Sequence, residues 1–127
     1  MAFKWSDYLL LAQFIQNQEP PDREDCFTKE AMCRCTVSRA YYAAFCHARN
    51  YAHERLSYRI RYPEGNDHWG VRERLQEKKR HDESRWLGEL HEWRKQCDYA
   101  DSIDARVLKI MCKGSISKAQ SIISRLS

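Results

Sequence analysis

Three prolines and four glycines are all that interrupt this chain of 127 residues, and the prolines fall in two places. They sit in EPPDRED (19–25) and RYPEGND (61–67), the clearest loops of the sequence. Proline removes a backbone donor and glycine is costly inside a helix, so their scarcity leaves long stretches free for helices. Nowhere do Val, Ile and Thr alternate with polar residues as in a half-buried strand. The expectation is an all-α fold: a single four- to five-helix up-and-down bundle, one domain over residues 1–127, long enough to bury one core.

Apolar spacing places the helices. The first is expected from Ser6, whose hydroxyl can cap it, to about Gln16, with Tyr8, Leu9, Leu11, Ala12 and Ile15 at helical intervals. The second, Lys29 to Leu56, carries a stripe of Ala40, Tyr41, Ala44, Phe45 and Ala48, whose small members let neighbouring helices approach. The third covers Asp67 to Lys79 and the fourth Glu83 to Tyr99. The last runs from Ser102, with Asp104 early in its first turn, towards Leu126, and Gly114 is expected to kink or break it. Trp86 and Trp93 are seven apart on one face of the fourth helix and are expected in the core. With Trp69 they are otherwise candidates for an interface patch.

Charge and cysteine content narrow the setting. The net charge is +4, with 31% of residues charged, which suits a solvated helical surface and permits nucleic-acid binding without requiring it. The N-terminus has no secretory pattern, and no apolar run approaches the roughly 20 residues that span a bilayer. A cytoplasmic protein with six reduced cysteines is therefore expected. Cys33 and Cys35 form a C-x-C whose members point to different faces of a helix. Zinc would need a convergent set with Cys26 or His68, so the thiols read as small apolar side chains, and no metal or cofactor is expected. Phosphate-binding glycine loops, nucleophile elbows and paired catalytic carboxylates are absent.

Two segments carry a resemblance. SRAYYAAFCHARNYA (38–52) resembles the signature helix of the HEPN domain family, and LHEWRKQCDYAD (90–101) is similar to that family's LRxLRxxADYxD segment. Between them DHWGVRERL (67–75) stands where many members have a His followed by a short helix. The likeness covers roughly residues 35 to 105. It implies a helical bundle that pairs as a homodimer around a basic cleft. It also implies one of two roles: metal-independent endoribonuclease, or binding module partnering a nucleotidyltransferase-like protein or RNA in a toxin–antitoxin or defence setting.

Active members carry an Arg followed about four to six residues later by a His. Arg94 takes the place of the Arg, but Tyr99 stands where the His would be. A phenol with a pKa near 10 is a poor base at neutral pH unless a guanidinium lowers it. The binding module is therefore the leading expectation, and ribonuclease chemistry with Arg94 and His91 or Tyr99 the alternative. His91 and Arg94, three apart, share a helical face with Asp98. Arg94 and Asp98 also make a favourable intrahelical pair, with Tyr99 then closing the core. Tyr99 is also a candidate acceptor for a transferred nucleotide, as a Tyr near this motif is in some members. Formal Arg–His spacing also fits Arg61 with His68, Arg74 with His81, and Arg85 with His91, but roughly one or two such matches are expected by chance, so the spacing alone is weak evidence. On the signature helix Arg39, Arg49 and Tyr42 flank the stripe as candidates for a partner or nucleic acid. His47 and His53 read as surface or interface residues.

Overall fold

The computed structural model describes residues 2–127, and among these are five α-helices and no strand. They are α1 Ser6–Gln16, α2 Lys29–Arg55, α3 Asp67–Glu77, α4 His81–Tyr99 and α5 Ala105–Arg125. None is long and apolar enough to cross a membrane.

Side chains start three of the helices by accepting from first-turn amides that have no intrahelical partner. Thr28 accepts from Ala31 at 3.2 Å, Asn66 from His68 at 3.0 Å, and Asp104 from Arg106 and Val107 at 2.9 and 3.2 Å. Ser6 is not a cap, contrary to expectation. Trp5 holds that position, without a side-chain bond. The start of α4 is stabilised differently, by Asp82 and Glu83 in its first turn. Glu83 is buried and meets Arg80 at 3.8 Å and Arg125 at 3.9 Å.

Helix α2 is the hub, packing against α1, α3, α4 and α5. Ala40, Ala43, Ala44, Ala48 and Ala52 are fully buried along it, so its backbone can approach four neighbours at once. Leu9 and Ala12 of α1, Val71 and Leu75 of α3, Leu87 and Leu90 of α4, and Ile116 to Ile122 of α5 complete the main core. A smaller cluster joins Val37, Cys97, Leu108, Met111 and Cys112. Trp86 and Trp93 are half-buried against these cores, whereas Trp69 is exposed.

Two expectations fail locally. Helix α5 is unbroken through Gly114, because the glycine makes room rather than a kink: a Cβ there would lie 3.0 Å from the Trp93 ring. Tyr99 is 77% exposed and does not close the core, since α4 ends on it and the chain turns extended at Ala100. His47 is half-buried and His53 exposed, and both also tie the backbone, donating respectively to the carbonyls of Leu126 at 2.8 Å and Tyr58 at 2.9 Å.

The connector between α2 and α3 folds back over the start of α3. Buried Asp67 accepts from the Tyr58 hydroxyl at 2.6 Å and from the amides of Arg61 and Tyr62 at 2.8 and 3.1 Å. Gly70 lies beneath Tyr58, where a Cβ would come within 2.5 Å of its hydroxyl oxygen. Gly70→Ala should therefore cost roughly 1–3 kcal/mol in denaturant unfolding, by displacing the phenol from Asp67. Gly88, whose nearest atom is Arg72 Cδ at 3.6 Å, serves as the control. Gly88→Ala should be neutral or add up to about 1 kcal/mol through helix propensity. Equal effects at the two sites would contradict this packing.

Candidate functional site

Three helices bring rings and guanidiniums to one place. Tyr41, Tyr42 and Phe45 come from α2, His68 and Arg72 from α3, and His91, Arg94 and Asp98 from α4. Residues three or four apart share a helical face, so His68 with Arg72 and His91 with Arg94 are each presented together. The Asn66 cap and the Asp67 bonds fix the first turn of α3, and with it the backbone of His68.

The aromatic stack is close. The His68 ring lies 4.3 Å from that of Phe45 and 4.8 Å from that of His91, both at 18°. Tyr41, fully buried, packs 5.7 Å from Phe45, and its hydroxyl is hydrogen-bonded to His68 Nδ1. Burial raises the Tyr41 pKa, so the phenol keeps its proton and donates it. That makes His68 Nδ1 the acceptor and assigns its ring proton to Nε2. Arg72 Nη1 points at His91 Nδ1 over a long 3.5 Å. A guanidinium can only donate, so His91 is the same neutral tautomer.

Both imidazoles are held neutral. Burial lowers the His68 pKa, reinforced by Arg94 and Arg72 and opposed by Asp67. Burial also lowers that of His91, to about 4, together with His68, Arg72, Arg94 and Lys95. Asp67 behaves oppositely: desolvation pushes its pKa up, but the Tyr58, Arg61 and Tyr62 hydrogen bonds outweigh this and leave it lowered.

Arg94 is the most confined cation. Its side chain is 10% exposed, its Nη1 meets Asp98 at 3.4 Å, and its guanidinium lies 5.7 Å from the Tyr41 ring centre and 5.5 Å from that of Tyr42. Its Nε is buried without a hydrogen-bond partner. Arg39 reaches the Tyr42 ring at 5.4 Å and the Tyr8 ring at 4.8 Å, so Tyr42 holds two cations. Arg49 lies 5.8 Å from the Trp5 ring and bonds Asn50 at 3.2 Å, beside a cleft that Tyr42 and His68 also line.

Of the residues singled out from the sequence, His91, Arg94, Asp98 and Tyr42 therefore meet, with Arg39 adjoining and Arg49 one cleft away. Tyr99 lies outside the ring cluster. Arg61, Arg74 and Arg85 point elsewhere: Arg61 lies 6.0 Å from the Tyr58 ring, Arg74 bonds the Leu56 carbonyl at 2.6 Å, and Arg85 pairs with Asp82 at 3.3 Å. Sequence reasoning misses Arg72 and the Tyr41 hydroxyl, and weighs His68 as a possible metal ligand, for its spacing from Arg61, and as the His of the DHWGVRERL segment, without placing it in the site. The one available hint was that Arg72 follows His68 at the four-residue helical interval. Among the described residues no group of three His, Cys, Asp or Glu side chains is placed to hold a metal ion.

Chemically, the site offers guanidinium donors and two imidazole N–H groups, an arrangement that can receive an anion and would gain protons on doing so. Comparison with protein-family models, curated proteins and solved structures finds no match.

The lowered histidine pKa values have a consequence for stability. Unfolded imidazoles bind protons near pH 6.5, and the folded His91 only near 4. The unfolded state therefore gains protons first, and stability should fall as pH drops through that window. Because the site is partly solvated, His91 should contribute about 1–2 kcal/mol rather than the full shift. Thermal unfolding from pH 7 to pH 4.5 should show a shallower loss for His91→Gln than for wild type. Parallel profiles would contradict a neutral buried His91.

Proposed function

We propose that the chain is a HEPN-type binding module that takes the phosphodiester backbone of single-stranded RNA on the Arg72–Arg94–His68–His91 site. The observation that carries this is Arg94, a nearly buried guanidinium, set with Arg72 against two imidazoles kept neutral by burial and, after it, by the surrounding positive charge. A phosphate set beside Arg72 and Arg94 would relieve the crowding of cations. Arg39 extends positive charge along Tyr42, as backbone tracking requires. Pairing as a homodimer, partnership with a nucleotidyltransferase-like protein, and a toxin–antitoxin or defence setting in the cytoplasm rest on the motif resemblance.

A second reading, metal-independent RNA cleavage, is favoured by one feature: two neutral imidazoles beside two guanidiniums. His91 would take the 2′-OH proton as O2′ bonds to phosphorus, and Arg94 would balance the charge of the phosphorane. The proton taken up would go to the 5′ oxygen as the P–O5′ bond breaks to leave a 2′,3′-cyclic phosphate. Tyr99, exposed at the end of α4, is the weaker base candidate.

Fluorescence anisotropy with labelled single-stranded RNA in EDTA tests both readings. Arg72→Ala should weaken binding roughly tenfold and flatten the salt dependence by about 0.7 of a logarithmic unit per decade, the loss of one phosphate contact. An unchanged affinity in the folded variant would contradict the proposal. Electrophoresis of the same samples separates the readings: intact RNA leaves binding, and shortened RNA that survives with His91→Gln excludes His91 as base.

A further inference from the structure

One cavity beside the site is unused by phosphate binding. Between α2 and the connector before α3 lies a cleft of about 650 Å³ whose lining includes Trp5, Tyr42, Phe45, Arg49, Tyr62 and His68. Tyr42 and His68 belong to both places. Arg94 lies 5.5 Å from the Tyr42 ring, and His68 stacks on His91, so the cleft and the cationic site share Tyr42 and His68 as neighbouring walls.

Its ring walls differ in how they are held. Phe45 is buried and fixed by its stack on His68, and Trp5 is set edge-on to Tyr8 at 5.5 Å. Tyr62 is 75% exposed, yet its amide donates to the buried carboxylate of Asp67 at 3.1 Å. An exposed ring on an anchored backbone loses little freedom when a flat ligand packs on it. Arg49 places a guanidinium at the edge, where it can donate to ring nitrogens or exocyclic oxygens.

We infer that this cleft is a base subsite: it takes one unstacked nucleobase of a single-stranded RNA whose phosphate sits on Arg72 and Arg94. The inference rests on the RNA reading and adds to it what the cations cannot supply, a preference for base over bare backbone. Rings accept any base face, so the subsite favours single strands with little discrimination among sequences. A duplex, with its bases stacked inside, cannot enter.

The test compares a labelled oligoribonucleotide with an abasic oligomer of the same length and charge, by anisotropy. Wild type should bind the base-bearing strand about tenfold or more tightly over the abasic one. Tyr62→Ala, expected to fold because the ring is exposed, should remove most of that difference while leaving abasic binding unchanged. Arg72→Ala should weaken both strands alike. A preference that survives both Tyr62→Ala and Trp5→Ala overturns the base subsite, and the phosphate reading then stands on Arg72→Ala alone. The converse result, with Arg72→Ala silent and Tyr62→Ala still erasing the preference, supports the subsite and removes the phosphate reading.

Discussion

A phenol buried at the centre of the longest helix must find a hydrogen-bond partner, because an unsatisfied hydroxyl in an apolar interior costs about 1–3 kcal/mol. In Tyr41 that hydroxyl is bonded to His68 Nδ1. Much else depends on this bond. A donated phenolic proton requires His68 to be neutral at that nitrogen, which fixes its tautomer and its ring plane. The plane sets the Phe45–His68–His91 stack, and α3 and α4 are brought together on α2 by that stack as well as by Val71, Leu75, Leu87 and Leu90.

The same packing creates an electrostatic tension. Burial and two guanidiniums drive both imidazoles towards the neutral form, while only Asp98 directly pairs with Arg94. The imidazoles of such a site hold no proton at neutral pH beyond the one on each neutral ring, and the proposed reading makes an anion the group that would change this. Bringing a phosphate between the cations and the imidazoles would reverse the sign of the local field and favour protonation. Binding and proton uptake are therefore linked. The distinction between a binding module and a ribonuclease turns on whether that proton is merely taken up or passed to a leaving oxygen.

How much of this the sequence showed follows from where the determining forces lie. The α2 stripe was legible because alanines and aromatics at helical spacing have few other uses, and the two loops were legible because proline allows little else there. Apolar spacing marks the end of α1 and the start of α2, whereas the Ser6 hydroxyl suggests a cap at a position that Trp5 occupies. Gly114 was read by propensity, but the Trp93 ring across from it decides its role. Arg94 and His91 were legible as a pair because their spacing is local. Arg72 and the Tyr41 hydroxyl were not, since they enter only once α3 packs against α2 and α4, which no one-dimensional pattern records.

Titrating the imidazole resonances of His68 and His91 by NMR, with and without a short single-stranded RNA, addresses the central claim most directly. In the free protein His68 should titrate below the ordinary histidine value and His91 near 4. Saturating RNA should raise both towards neutrality. Ordinary values that RNA leaves unmoved would contradict an anion site built on neutral imidazoles.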